Sequence, residues 1–419
     1  MQDTARSLAI ECDLLPPAPP APASRTRRPL ILHITGDYPD PVRNRTTYAV
    51  KNFIDKLDGC DHLIVSIRRY TNPAGCYLRA FDESPGRKLF ALGYWALPGG
   101  FFHRNAMRRV ARQVREIIAR SGARPDLVVA HKLTIEGVVA YRLWKKLQLP
   151  YACCVRGEVE DKFFRYKRGL RALFGRVVKH SEALIYVSAW FKPRIERAYP
   201  GMARRQMLLP NFSDHAAAEL PESPPDARTF VTVLDLGMYR RKGFDDLILA
   251  LALARKRVPD LKLDVIGWST PSAMRRVRNL VRQAGVEDAV RFLGFKPHHE
   301  VLKALPHYGA MVLPARNETF GMVYVESLFC QTPILYGRGS GIDGYLGGLE
   351  PGVAVEVGNV KSIADGLCRL AQEGPQYRRN LRRDYRSICA RFAPEAYLRD
   401  FGKLVETVRS RDARAKGFG

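Results

Sequence analysis

A chain of 419 residues, 46% of them hydrophobic and 26% charged, has a globular composition and enough length to bury two or three cores. No run of about 18 apolar residues occurs, which excludes a membrane-spanning helix, and Leu8-Ala9-Ile10 is cut off by Glu11 and Asp13, unlike a secretory leader. The formal charge of +26 draws polyanions, whether nucleic acid, anionic lipid or phosphorylated substrate, without choosing among them.

Residues 1–28 hold the tract Pro16-Pro17-Ala18-Pro19-Pro20 and end in Arg25-Thr26-Arg27-Arg28, the composition of a disordered leader. Folded structure is expected from Leu30-Ile31-Leu32-His33-Ile34-Thr35, a strand closed by Gly36. A helix follows, with Tyr48, Val50, Phe53, Ile54 and Leu57 as its apolar stripe. Further strand-like runs fall at 62–67, 126–130, 151–155 and 183–187, with helical patterns near 103–120, 134–147, 161–180 and 189–198. Such alternation, with strands apolar throughout, predicts a parallel sheet covered on both faces. The pattern stops near Asn211, and 213–228 reads as a linker. It restarts at 230–234 and continues with strands near 261–266, 290–293, 310–313 and 333–336. The intervening helices are expected near 243–257, 272–284, 298–305, 320–330 and 360–373. The fold class is therefore α/β, with two doubly wound domains at 29–212 and 229–393 and a C-terminal helix and tail at 394–419, able to return to the first domain. Two such units leave one natural ligand site, the cleft between the carboxyl ends of their strands. The eight scattered cysteines include no C-x-x-C pair, so free thiols of a cytosolic protein are expected.

The densest chemistry lies at Asn317-Glu318-Thr319-Phe320-Gly321-Met322-Val323-Tyr324-Val325-Glu326. A strand precedes this stretch and a helix begins within it, near Phe320-Gly321. The unpaired N–H groups of such a start suit a phosphate, and each carboxylate can accept two sugar hydroxyls. Upstream, Gly237-Met238-Tyr239-Arg240-Arg241-Lys242-Gly243 places three cations at another strand exit, matched to a pyrophosphate. In the first half, His131 ends the strand 126–130 and is expected to face the cleft. Arg156 ends the next strand, and Gly36 the first.

The Glu318-to-Glu326 stretch resembles the signature of the retaining GT-B glycosyltransferases of family 4, the glycosyl transferases group 1. Lys242-Gly243 matches the same family, and Phe292 to Pro297 resembles its loop beside the nucleotide base. The likeness spans roughly residues 30–405. It implies a GT-B fold of two Rossmann-like domains, a nucleotide-sugar donor as substrate, no cofactor and no metal. It also implies Glu318 on the donor sugar, Glu326 on the ribose, and an Arg with Lys242 on the diphosphate. Phe320, Gly321 and Met322 line the donor site in this reading. His131 and Glu318 stand at the reacting centre and Gly36 on the acceptor side; Arg156, also set on the acceptor side, departs from the family, which more often has His there, and is open to a phosphate on the acceptor or the donor. Met238 departs from the family, which has Arg directly after the glycine; Arg240 and Arg241 are both open as substitutes.

Residues 161–180 combine an apolar stripe (Phe163, Phe164, Tyr166, Leu170, Leu173, Phe174, Val177, Val178) with Lys162, Arg165, Lys167, Arg168, Arg171, Arg176 and Lys179. The stripe suits packing on the sheet; the cations suit an anionic membrane. The expected partners are thus a nucleotide sugar, a glycan or lipid-linked acceptor such as a polysaccharide or lipopolysaccharide intermediate, and peripheral contact at the inner face of a membrane. Nucleic acid is not expected, because the cations are spread and no zinc, helix-turn-helix or RRM signature accompanies them. The rival readings are a GT-B-fold epimerase or phosphorylase and a non-catalytic polyanion binder.

Overall fold

The computed structural model describes residues 27–42, 48–122, 124–212, 220–223 and 225–417. Most of the expected leader and half of the expected linker lie outside these. The first sheet comprises β1 (Leu30–Thr35), β2 (Asp61–Tyr70), β3 (Tyr77–Ser84), β4 (Arg87–Trp95), β5 (Leu127–Ala130), β6 (Tyr151–Val155), β7 (Ala183–Tyr186) and β8 (Gln206–Leu208). Its order is β3-β4-β2-β1-β5-β6-β7-β8, parallel throughout except where β3 meets β4. The second comprises β9 (Thr229–Val233), β10 (Lys262–Ile266), β11 (Val290–Gly294), β12 (Ala310–Leu313), β13 (Ile334–Gly337) and β14 (Gly352–Val355). It is parallel, in the order β11-β10-β9-β12-β13-β14.

The helices of the first unit are α1 (Ala49–Asp55), α2 (His103–Ser121), α3 (Glu136–Leu147), α4 (Glu158–Tyr166), α5 (Arg171–His180) and α6 (Lys192–Ala198). Those that follow are α7 (Phe244–Arg255), α8 (Pro271–Gln283), α9 (His298–Ala304), α10 (Met322–Phe329), α11 (Val360–Phe392) and α12 (Pro394–Gly417). Their ends have local causes. The Thr270 hydroxyl accepts from the Ala273 N–H at 3.1 Å with Pro271 next in line, opening α8. The Asn359 side chain does the same for Ser362 at the start of α11.

The structure departs from the expected elements in three places. The β3–β4 hairpin was not anticipated, because Gly93 interrupts the β4 pattern. A side chain there would meet the Tyr77 ring at 2.7 Å, so the glycine makes room for the edge strand. The helix expected over 161–180 breaks at Lys167 into α4 and α5. Most of its stripe is internal: Phe164, Leu173, Phe174, Val177 and Val178 are buried. Finally, α11 continues past Pro375 to Phe392, since Tyr377, Leu381, Ile388 and Phe392 extend its buried face. Tertiary burial there outweighs the hydrogen bond that proline removes, a cost of about 3 kcal/mol.

The last helix returns to the first unit. Tyr397 and Phe401 of α12 set their rings 4.8 and 5.0 Å from that of Phe53. Near the cleft the units are joined by Ser188 Oγ donating to the Thr319 carbonyl at 2.5 Å and Trp190 Nε1 to that of Glu318 at 3.0 Å. The seven described cysteines are free. Among the described residues no helix is long and apolar enough to cross a membrane.

Candidate functional site

A cavity of about 400 Å³ opens between the carboxyl ends of the two sheets. Asp37, Lys132, Arg156 and Glu158 line it from the first unit; Arg241, Lys242, Glu318 and the stretch Thr319 to Val323 line it from the second.

On the second wall, α10 begins at Met322 with Gly321 as its cap residue at φ 76°. A Cβ at Gly321 would meet the Tyr324 ring at 2.5 Å. Tyr324 is held by its hydroxyl donating to the Leu313 carbonyl at 2.6 Å. Glycine is thus required by the turn and its own helix, besides leaving the backbone open to a ligand. Phe320 is buried, its ring 5.6 Å from Tyr345 and 6.2 Å from Phe392. It anchors the helix start beside the cavity.

The loop before the helix is pinned by the glycine loop Arg338-Gly339-Ser340-Gly341, which follows β13. The Glu318 N–H donates to Ser340 Oγ at 2.8 Å, and that hydroxyl donates to the Ala315 carbonyl at 2.7 Å. The Gly341 N–H donates to the Glu318 carbonyl at 2.9 Å. The glycine loop therefore supports the Glu318 backbone. No spacing rule would have indicated this.

Glu318 accepts from Lys242 Nζ at 2.6 Å. Lys242 is placed there because Gly243 lets its loop press on β12: a Cβ at Gly243 would lie 2.2 Å from the Pro314 carbonyl. Of the two open arginines, Arg241 lines the cavity and pairs with Glu158 across the cleft at 2.7 Å. Arg240 is exposed, over the Tyr239 ring with Nε 3.1 Å from its hydroxyl. Met238 is likewise directed outward.

Glu326 is 8% exposed and its carboxylate meets His298 Nε2 at 3.0 Å. That hydrogen bond holds the His298 pKa above its ordinary value against partial burial. His298 opens α9 on a different strand exit, so its partnership with Glu326 could not be read from sequence. Beside α9, a second cavity of about 600 Å³ is lined by Gly267, Trp268, Phe295, Lys296 and Val301 at the exits of β9, β10 and β11. Its aromatic and apolar walls suit a flat heterocycle, and it includes the Phe295-Lys296 part of the loop noted above.

The first wall differs from expectation at one residue. His131 does not open onto the cleft: it is 1% exposed and does not line the cavity. Its Nε2 lies 3.2 Å from His33 Nδ1, His33 Nε2 lies 3.2 Å from His62 Nδ1, and His62 Nε2 lies 3.1 Å from the Leu57 carbonyl. A carbonyl can only accept, so His62 carries its proton on Nε2. The chain then sets each neighbour in turn, leaving His131 with a bare Nδ1. Burial lowers all three pKa values and keeps the row neutral. His131 Nδ1 has no hydrogen-bond partner.

Around it, Lys132 Nζ pairs with Asp37 at 2.7 Å. Burial raises the Asp37 pKa, but the Lys132 and Arg156 charges outweigh it and the net shift is downward. Arg156 Nε donates to the His131 carbonyl at 3.1 Å, and no carboxylate among the described residues lies in ion-pair range of it. The Gly36 N–H donates to Glu136 Oε1 at 2.8 Å. Glu136 is 1% exposed; burial pushes its pKa up to about 7 against the pull of Lys132. Its Oε2 has no partner. Glu136 and Lys132 were missed from sequence, where each reads as an ordinary charge at a helix start.

A model of the glycosyl transferases group 1 family matches residues 222–387, and one of a glycosyl transferase 4-like domain matches 56–211. The chain is 25% identical over 377 residues to a glycogen synthase of Mycobacterium tuberculosis, covering 84% of this chain and 88% of that protein. Its fold superposes on a sucrose-phosphate synthase of Thermosynechococcus elongatus with a TM-score of 0.71, at 18% identity, over 92% of this chain and 100% of that one. A protein of Anabaena solved with UDP and glucose gives a TM-score of 0.59 at 15% identity, over 93% and 100% of the two chains.

Proposed function

The chain belongs to the glycosyl transferases group 1, with a GT-B fold, and from that premise we propose that it moves a sugar from a nucleotide sugar to an acceptor hydroxyl with retention of configuration. The observation that carries this is the Lys242–Glu318 pair, 2.6 Å apart at the start of α10 on the floor of the cleft. A diphosphate entering there takes Lys242, Arg241 and the free N–H groups of α10, which stabilise charge developing on the leaving group. Glu318, released by Lys242, accepts hydroxyls of the donor sugar, and Glu326 with His298 receives the ribose. The cavity at Trp268 and Phe295 holds the base. The UDP in the Anabaena structure makes uridine diphosphate the first nucleotide to try.

Arg156, a cleft cation with no carboxylate in ion-pair range among the described residues, suits a phosphate on the acceptor, while the buried His131 backs that wall through its carbonyl, which accepts from Arg156 Nε. The acceptor oxygen attacks on the face the diphosphate leaves, and the departing oxygen takes its proton. The cations do the work a divalent metal does elsewhere, so the reaction proceeds without one. A phosphate-bearing, lipid-linked acceptor puts the enzyme at the inner face of a membrane.

The test is thermal stabilisation by UDP and a panel of UDP-sugars, since a ligand confined to the native state raises the midpoint by RT ln(1 + [L]/Kd). A shift with one donor that Glu326→Ala removes supports the reading. A shift with polyanions in general, and none with any nucleotide, points instead to a charge-driven binder. Release of free sugar phosphate or an epimerised donor without acceptor favours the phosphorylase or epimerase.

A further inference from the structure

We infer that a third, apolar cavity, in the first unit, holds the hydrocarbon chain of the acceptor, a lipid phosphate whose head runs along α4 into the cleft. This rests on the transferase reading above. The cavity measures about 520 Å³, within the range of roughly 300–1,000 Å³ typical of small-molecule sites. Tyr94, Met107, Ile135 and Phe163 line its interior, and Arg69, Lys162 and Lys167 its polar edge.

Its position connects it to the cleft. It lies at the carboxyl ends of β2 and β4, the same edge of the same sheet whose β5 and β6 exits form the cleft. The helix α4 borders both: Glu158 and Val159 face the cleft, and Lys162, Phe163 and Tyr166 the apolar cavity. Four helical residues rise about 6 Å, so a phosphate at Lys162 sits one turn from the cleft wall at Glu158. A row of charge marks that path, as Arg241 pairs with Glu158 at 2.7 Å and Lys162 with Glu158 at 3.0 Å. At the next loop, Ile135 enters the apolar cavity while its neighbour Glu136 supports Gly36.

The mouth is built at a conformational cost. Pro98-Gly99-Gly100-Phe101-Phe102 has φ of 66° at Gly99, 72° at Gly100 and 52° at Phe102. A left-handed phenylalanine is strained, and such strain collects where function imposes it. Here it holds Phe101 at 62% and Phe102 at 71% exposure, with Tyr166 at 76% across the opening. Lys167 Nζ sits 4.4 Å above the Phe101 ring. Clustered exposed aromatics mark an interaction surface, and the basic edge states what accompanies the apolar partner: an anion. A second copy of this chain, at +26, brings the wrong charge.

Binding of farnesyl phosphate, farnesol and inorganic phosphate to the full chain, with UDP in parallel, tests this. Farnesyl phosphate should bind at least about tenfold more tightly than either fragment. The surface variant Phe101→Ala/Lys167→Ala and the filling variant Met107→Trp should each weaken it by about tenfold or more and leave UDP stabilisation intact. The surface variant alters exposed residues, so it remains informative if Met107→Trp does not fold. Equal binding to all three proteins overturns the inference. So does binding to anionic vesicles that the surface variant weakens and a folded Met107→Trp does not, because the face is then a membrane dock with no captured chain. Farnesyl phosphate binding without any UDP effect would remove the donor reading and leave the cavity standing; UDP binding without farnesyl phosphate does the reverse.

Discussion

The two walls of the cleft are built on opposite terms. On the second wall the key groups already have partners: Lys242 with Glu318, Glu326 with His298, and the Glu318 N–H with Ser340. Behind the first, His131 Nδ1, Thr134 Oγ1, Glu136 Oε2 and Glu160 Oε2 are buried without hydrogen bonds, and on it Arg156 has no carboxylate in ion-pair range among the described residues. A buried polar atom left unpaired costs about 1–3 kcal/mol, and four of them back the first wall. The paired wall is preorganised for a ligand of constant shape, as a nucleotide is. The first wall leaves Arg156 for a partner that supplies an anion.

The sharpest way to break this comparison is Lys242→Met. It should lower turnover by about 10²–10³-fold, the loss seen when one preorganised charge-stabilising donor is removed. Retained turnover would remove the leaving-group role from this loop. Next is Glu136→Gln. The folded-state pKa of Glu136 is raised to about 7, so its protonated form stabilises the fold fully below the unfolded carboxylate range. That stability is lost as pH rises through about 7, amounting to on the order of 3 kcal/mol. The variant should therefore gain midpoint relative to wild type at pH 8 and not at pH 4.5. Identical pH profiles would mean that this carboxyl is ionised and paired after all.

Arg156→Gln should raise the KM for a phosphorylated acceptor by about tenfold, one charge-assisted contact's worth, with donor hydrolysis unchanged. A loss confined to donor binding would move Arg156 to the other wall. His298→Ala should weaken UDP only a few-fold, less than Glu326→Ala, since it acts by orienting the carboxylate. The smallest expected effect is that of EDTA, which should leave turnover unchanged. Inhibition reversed by added Mg²⁺ would show that the cations are insufficient.

The sequence carried much of the architecture because parallel strands buried on both faces read as continuous apolar runs. Leu30–Thr35, Tyr151–Val155 and Ala310–Leu313 are legible on that ground alone. The second wall was legible too, since its chemistry is local: Glu318, Gly321 and Glu326 sit within one loop and helix. What sequence alone left undecided depended on contacts between distant segments. Arg241, not Arg240, lines the cleft, where it meets Glu158 from the other unit. His131 was turned inward by His33 and His62, 98 and 69 residues away. The titration of Glu136 follows from burial beside Lys132 and Asp37. The apolar cavity needs β2, β4, α2, α3 and α4 at once. Hydrophobic periodicity and backbone turn chemistry are properties of neighbouring residues and survive in the linear string. Desolvation, ion pairing and enclosed volume exist only once remote segments meet, and those are what the tertiary structure decided.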